Sequence, residues 1–575
     1  MIMRVLHRSL TIMLVVWFAS GNPMASADVS YGSYLAGRSA LQNSDYTAAA
    51  HYFGQALETD PNNHELLQSM VFALLAIGEV DRALPIAERL EDQGAQSGIA
   101  DLVILSGMAK TGEFASILNH QATNSGLVGA AEELIVAWAH KGAGSVIKSL
   151  DSFDQLAARD NIFGIGKYHK GLALALVGDF ERAEAILAED MGGGLSIGRR
   201  GVIARIEILS QLDRNADALQ VLGQFFGKDF DLSLSQKAAI LRSGDTLPFD
   251  HVTSVQEGIA EVFFSLAAIY DEADQEVAPI HSLIYGRLAA DLRPTHVDAI
   301  LLVAQILDEL EQFELAIDTY KLVPKTSPDF VVAEQGRAST LNGADKSDAA
   351  IEVLNRLIVD YPNLPSVYSA LGGLYREGKD YKRAVAVYDR AIELTAEGSR
   401  SEWYLYFVRG ISHERLGQWE QAESDFRRTL AIRPQEPGVL NYLGYSMVEK
   451  GINLDEALDM IQSAVAARPN SGHIVDSLGW VLYRLGRYDE AVEHLERAVE
   501  LEPTDPVIND HLGDAYWAEG RIREAEFQWK RALSYVDESS ADVNQERIRR
   551  KIDIGLDSLL AEEGAPPLSM AGDDL

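Results

Sequence analysis

Apolar and polar positions along this chain follow the 3.6-residue period of amphipathic helices, and the helices come in pairs. The stretch from Gly472 to Pro503, GHIVDSLGWVLYRLGRYDEAVEHLERAVELEP, shows the unit. Small residues at Gly479, Ala491 and Ala498 stand where two helices must touch, and Leu478, Leu482, Tyr488 and Leu495 fill the space between them. Pro503 then breaks the chain before the next pair. The pattern returns about every thirty-four residues. A unit this small cannot bury its apolar face alone, so the sequence predicts a stack of hairpins in which each covers its neighbour.

These small and large positions resemble the tetratricopeptide repeat (TPR), a family of helix–turn–helix units. The first unit spans roughly Ser30 to Asn63, with Gly37 and Ala40 on one helix and Ala49, Phe53 and Ala56 on the other. The second, from His64 to about Ala95, places Ala83 at the crossing. Units near Ile99 and Ala130 keep the apolar period and lose the signature residues, and clearer ones begin at Gly164 and near Arg199. Between Phe225 and Gln256 the pattern lapses, with one helix expected over Ser233 to Arg242 and a turn-rich segment around Pro248. Residues 229–257 are therefore read as an irregular joint between an N-terminal TPR-like segment, 28–228, and a C-terminal array, 258–540.

Unit starts are then expected near Phe263, Val297, Val331, Pro365, Trp403, Pro437, Gly472 and Pro506, with one extra residue near Ile452. A single amphipathic helix, Val543 to Leu560 within a capping segment 541–562, ends the stack, and Arg547, Arg549, Arg550 and Lys551 are assigned to its polar side. Residues 563–575 are read as a disordered tail. The fold expected is all-α. The resemblance implies a right-handed superhelical solenoid of about fourteen TPR-like helix hairpins closed by that C-terminal capping helix.

Charge and leader narrow the functions. Asp and Glu outnumber Lys and Arg 86 to 50, a formal net charge of −36. So acidic a surface repels phosphate backbones, and no nucleic-acid partner is expected. The chain has no cysteine, which excludes disulfides, thiolate catalysis and a lipoprotein anchor together. Arg4, His7 and Arg8, the apolar run Leu10 to Ala19, and Ala25-Ser26-Ala27 before Asp28 have the layout of a secretory signal peptide over 1–27, cleaved after Ala27. The apolar run is too short to span a bilayer comfortably, so no integral membrane span is expected after cleavage, and a periplasmic location follows.

Signals for chemistry are weak. Gly194-Leu195-Ser196-Ile197-Gly198 matches the G-x-S-x-G nucleophile pattern, but that motif works on a strand-to-helix turn, whereas here it joins two helices. His413-Glu414 lacks the second histidine of a zinc-binding helix, and no phosphate-binding glycine loop is present. The expectation is a protein with no catalytic residues, no cofactor and no metal.

Binding residues come from the resemblance. TPR units present ligand contacts from set positions of the first, concave-facing helix. In the secure register of the C-terminal half these positions fall on Tyr404, Phe407 and Arg415; Asn441 and Tyr445; Asp476, Trp480, Tyr483 and Arg484; and Asp510 and Trp517. Ile411, Glu414, Val448, Glu449, His473 and Asp514 share those faces, and Ile411 and Val448 read as core. For Tyr445 and Trp480 two placements stay open, in the groove or packed between first helices, with the groove favoured. Aromatic rings among polar groups suit peptide recognition. The Lys and Asn that some TPR domains use to grip acidic tails are replaced by Asn441/Tyr445 and Asp476/Trp480, and an acidic groove favours neutral or basic segments.

The run Leu440 to Ala498 resembles exported bacterial TPR proteins, among them periplasmic adaptors of a carboxyl-terminal processing protease. That resemblance implies a non-enzymatic scaffold that binds protein partners in its concave groove and presents substrates to a protease. The alternative is a structural cell-envelope component that organises secretion or assembly machinery. The sequence leaves the oligomeric state open.

Overall fold

The computed structural model describes residues 27–120, 129–159, 163–189, 198–227, 230–271, 278–536, 543–565 and 568. The signal-peptide residues 1–26, the Ser196 motif and most of the tail lie outside them. Every regular element among the described residues is a helix. The chain divides into two compact units, one ending at Lys346 and the other beginning at Ser347.

The first unit opens with the hairpins α1 (Ala27–Gln42)/α2 (Tyr46–Thr59) and α3 (His64–Ala76)/α4 (Val80–Asp92). The degenerate region gives α5 (Gly98–Thr111) with a one-turn α6 (Phe114–Ile117), then α7 (Gly129–Gly142)/α8 (Val146–Ala157). Next come α9 (Phe163–Ala175)/α10 (Phe180–Glu189), α11 (Gly198–Gln211)/α12 (Asn215–Phe226) and the lone α13 (Leu232–Ser243). The unit closes with α14 (Val255–Asp271)/α15 (Ala278–Leu292), α16 (Val297–Glu309)/α17 (Phe313–Tyr320) and α18 (Phe330–Gly343).

The second unit begins with α19 (Ser347–Asp360), α20 (Pro365–Glu377)/α21 (Tyr381–Leu394) and α22 (Glu402–Arg415)/α23 (Trp419–Ile432). It continues with α24 (Pro437–Lys450)/α25 (Leu454–Ala467), α26 (Gly472–Arg484)/α27 (Tyr488–Leu501) and α28 (Pro506–Ala518)/α29 (Ile522–Tyr535). Two short helices end it, α30 (Gln545–Ile554) and α31 (Leu556–Glu563).

One packing rule recurs among the hairpins. A glycine on the first helix faces a large residue sixteen positions on: Gly37 and Phe53, Gly171 and Leu187, Gly410 and Phe426, Gly479 and Leu495, Gly513 and Trp529. A β-carbon at Gly37 or Gly410 would lie 2.7 Å from the phenyl ring, and one at Gly479 would lie 2.5 Å from Leu495. Only glycine lets the helices approach this closely. Gly444 meets Ile461 one position later, because the extra residue near Ile452 lengthens that turn. Starts are fixed locally as well. Pro365, Pro437 and Pro506 open their helices, where a missing N–H costs nothing. Asp505 accepts from the N–H groups of Val507 (2.8 Å) and Ile508 (3.0 Å) at the start of α28.

The first unit departs from a simple stack. Helices α14 and α15 pack not only on each other but back onto α3, α5 and α7. Arg287 Nε donates to the Ala76 carbonyl (3.1 Å), Lys110 pairs with Asp291 (2.9 Å), and the buried Trp138 indole fits against Gly258. The sequence reading divides the chain at 229–257. The helices that follow this segment, α14 and α15, pack on helices that precede it, and α14 carries a long buried face and a glycine that admits the indole. The capping segment differs too: Gly555, at φ +80°, splits the expected single helix into α30 and α31.

Candidate partner-binding surface

In the second unit the first helices of successive hairpins, α24, α26 and α28, bring a group of the expected binding residues to one recess of about 680 Å³. Tyr445, Trp480, Tyr483, Arg484 and Asp510 line it, joined by Glu449, His511 and Asp514. Trp480 is half-buried in its lining. Its ring stacks on Tyr483 (centroids 4.8 Å apart, 10° between planes) and on His511 (4.0 Å, 11°). Its Nε1–H donates to Glu449 at 2.6 Å. The indole is thus oriented by two stacked rings and by a hydrogen bond at its edge, an anchor held before any ligand arrives.

Asp476 lies behind this stack. Both its carboxylate oxygens sit 3.0 Å from His511 Nδ1, and both residues are buried. Burial alone would lower the His511 pKa. The Asp476 carboxylate, helped by Asp510 and Asp514, outweighs it, and the imidazole pKa is raised. A cationic ring face to face with Trp480 adds a cation–π attraction.

The C-terminal helices complete one wall. Lys551, on α30, is fully buried, with its ammonium 2.8 Å from Asp510 and 2.7 Å from Asp514. The sequence reading put Lys551 on the polar side of its helix. This is corrected: it shares the inward face with Ile548, three residues before it, and its charge is met by two carboxylates of α28. Trp517 packs on Trp529 (5.4 Å) and on Gly555, and donates to Asp557 at 3.0 Å, so the chain's own capping helices engage it.

The remaining expected residues stand apart from the recess. Tyr404 is exposed beside Trp403, and Phe407 packs on Phe426 and Tyr442. Arg415 lies 3.7 Å from Glu414, while Asn441 is half-buried with an Oδ1 that receives no hydrogen bond. Of the residues held to be core, Val448 is fully buried and Ile411 partly so. The sequence reading does not single out His511, and it assigns Lys551 and Arg547 to the capping helix and not to the binding surface. The repeat register does not point to His511, because the position one repeat of thirty-four residues after Asp476 is Asp510 and His511 is its neighbour.

Among the described residues no cluster of histidine and carboxylate side chains is placed to hold a metal ion, and no helix is long and apolar enough to cross a membrane.

Segments of the chain match family models of the tetratricopeptide repeat, at residues 40–103, 337–399 and 407–471, and of the TPR repeat at 479–520. The chain is 25% identical over 188 residues to the TPR repeat-containing protein PA4667 of Pseudomonas aeruginosa, a match covering 32% of this chain and 31% of that one. It therefore spans about a third of the length of that relative. Among solved structures, it aligns with the APC/C hetero-tetramer Cut9-Hcn1 at 14% identity and a TM-score of 0.39, over 92% of this chain and 96% of that one. Yeast Tom70 aligns at 14% identity and a TM-score of 0.34, over 94% and 99%. Over the matched segments the class of protein is defined: tetratricopeptide helix pairs, which serve protein–protein interaction.

Proposed function

We propose that this chain is an exported, non-enzymatic TPR scaffold that binds partner proteins in the recess around Trp480. On this reading it acts in the periplasm as an adaptor that presents substrates to a protease. The observation that carries the binding site is the Trp480 ring, stacked on Tyr483 and on His511 and hydrogen-bonded to Glu449, in the lining of a recess of about 680 Å³. An aromatic anchor of fixed orientation loses little rotamer freedom when a partner docks. Tyr445 and Arg484 add a second ring and a donor for main-chain carbonyls. Export is supported by the basic, apolar and small-x-small pattern of residues 1–27. The adaptor role is supported by the resemblance of Leu440–Ala498, and by a repeat chain long enough to hold two partners and raise their effective concentration for each other.

The test is affinity capture from the protein's own cells, with the Tyr445→Ala/Trp480→Ala variant as control and the captured proteins identified by mass spectrometry. A periplasmic protease with cell-wall hydrolases, recovered with the parent chain and depleted at least tenfold with the variant, is the expected result. Envelope machinery recovered equally with both chains would replace the adaptor reading with a structural one.

A further inference from the structure

The first unit holds a recess that shares no residue with the Trp480 site and that the sequence reading did not anticipate. First helices α9, α11, α14, α16 and α18 surround about 740 Å³, within the range of roughly 300–1,000 Å³ typical of ligand sites. Its floor is a buried ionic network. Glu261, fully buried, takes two hydrogen bonds from Arg200 Nε (2.8 and 3.1 Å), one from Arg200 Nη2 (2.7 Å) and one from the Tyr168 hydroxyl (2.8 Å). His296 lies 3.2 Å from the same carboxylate. Burial opposes the charge on Glu261, but Arg200 outweighs it and holds the carboxyl well below its usual range.

Two features of this recess remain unanswered within the unit. The first is charge. Arg200 is consumed by Glu261 and by Asp298 (2.5 Å), and Arg199 by Asp231 (2.6 Å). Glu261, Asp298, Asp231 and Asp329 line the space against these two guanidinium groups. Asp329 is half-buried at the start of α18 and caps no backbone N–H. Burial is the main cause of its raised pKa; the Asp298 and Asp231 carboxylates add to it, and Arg199 and Lys237 oppose it without cancelling it. The second is apolar exposure. Ile269 and Val332 line the recess yet remain 38% and 44% exposed, beside Phe264 and Leu301. An anion would be repelled here, and a free metal or amine cation would leave the apolar rim uncovered.

We propose that this recess binds a peptide segment in which an arginine or lysine is flanked by apolar side chains. The cation meets Asp329, with Asp298 and Asp231 nearby, and the flanking side chains cover Phe264, Ile269 and Val332. This is a second protein-binding site, independent of the Trp480 recess, and it gives the scaffold a separate means of holding a basic partner.

The probes are fluorescein-labelled, end-capped heptapeptide pools with a fixed central Arg, Gln or Glu among mixed Leu, Val, Phe and Ala, titrated by anisotropy against the full chain. The Arg pool should bind about tenfold or more tighter than the Glu pool, with Gln between. Asp329→Asn, and separately Val332→Lys, which supplies a cation in place, should each weaken the Arg pool about fivefold or more. Tyr445→Ala/Trp480→Ala should leave that binding unchanged, so failure here and failure of the proposed function are told apart. Equal affinity for Arg and Glu pools overturns the proposal, as does insensitivity to both recess variants. Loss of the Arg pool in the Tyr445/Trp480 variant overturns it too. An Arg peptide flanked only by Gly and Ser that binds as tightly as the apolar pool would mark a site for free polycations and sink the peptide reading.

Discussion

Trp480 and His511 lie face to face, ring centroids 4.0 Å apart and planes 11° apart, with the imidazole tied to Asp476 through both carboxylate oxygens. The indole belongs to α26 and the imidazole to α28, so the stack bridges adjacent repeats in the lining of the recess. Because Asp476 raises the His511 pKa against the pull of burial, the folded state holds this proton more tightly than the unfolded chain. The stabilisation is complete below the ordinary histidine value of about 6.5 and is lost as pH rises through the raised value. Hydrogen exchange in α26 and α28, corrected for intrinsic rates, should therefore accelerate above neutral pH. His511→Gln should flatten that dependence, and an unchanged profile in the variant would remove His511 as its source.

Lys551 gives a sharper prediction. Its ammonium is fully buried between Asp510 and Asp514, and Asp514 also accepts from Trp529 Nε1 at 2.9 Å. Lys551→Met removes the cation and strands two carboxylates at the end of the stack, at a cost of about 3–5 kcal/mol. Urea unfolding followed by tryptophan fluorescence should show the loss, with α28 to α31 exchanging fastest. Adding Asp510→Asn and Asp514→Asn should recover part of it. If Lys551→Met unfolds at the parent midpoint, the pair does not hold the cap.

The glycine contacts test the packing rule. A β-carbon at Gly479 would stand 2.5 Å from Leu495 Cγ and 3.1 Å from the Ala491 carbonyl. Gly479→Ala should destabilise the second unit by about 1–3 kcal/mol through overpacking. Leu495→Ala alone opens a cavity costing about 2–5 kcal/mol. Together they should cost less than their sum, because each relieves the strain or void left by the other. Strict additivity in a double-mutant cycle would show that the two positions do not face each other.

Much of the architecture was legible because repeats report themselves. The expected starts at Val297, Pro365, Pro437, Gly472 and Pro506 coincide with observed helix starts, and those at Val331 and Trp403 fall one residue off. Glycine, proline and large apolar residues fix these boundaries through short-range contacts, which a periodic pattern encodes directly. The start expected at Phe263 lies eight residues inside α14, a longer helix whose extra turns answer to α5 and α7 and not to the repeat. Long-range packing of this kind leaves no periodic trace. Trp138 against Gly258 and Arg287 on the Ala76 carbonyl join residues more than a hundred positions apart. The candidate surface shows the same limit. Tyr445, Trp480, Tyr483, Arg484 and Asp510 were placed together by register, whereas the capping contacts at Asp510 and Trp517 depend on how α30 and α31 fold back. Lys551 was misread because a lysine at an inward position looks polar until its carboxylate partners are known.

Buried histidines in the first unit should make it respond to pH with the opposite sign. His169 accepts a hydrogen bond from Trp138 Nε1 at 3.2 Å, and His251 lies 2.8 Å from the Tyr168 hydroxyl. Both rings are buried, and burial lowers each pKa to about 4, with the Arg200 guanidinium adding to the effect at His251. The unfolded chain binds these protons more readily than the folded one. Their contribution is therefore intact above about pH 6.5 and is lost as pH falls towards 4, up to about 3 kcal/mol for each ring. Hydrogen exchange resolved by segment should show α7, α9 and α14 loosening on acidification from pH 7 to about 4.5, while α26 and α28 hold. His169→Gln keeps an acceptor for the Trp138 indole without a titrating ring, and should remove His169's share of that acid response. If α7 and α9 stay equally protected across this range, neither ring is the neutral, desolvated group described here.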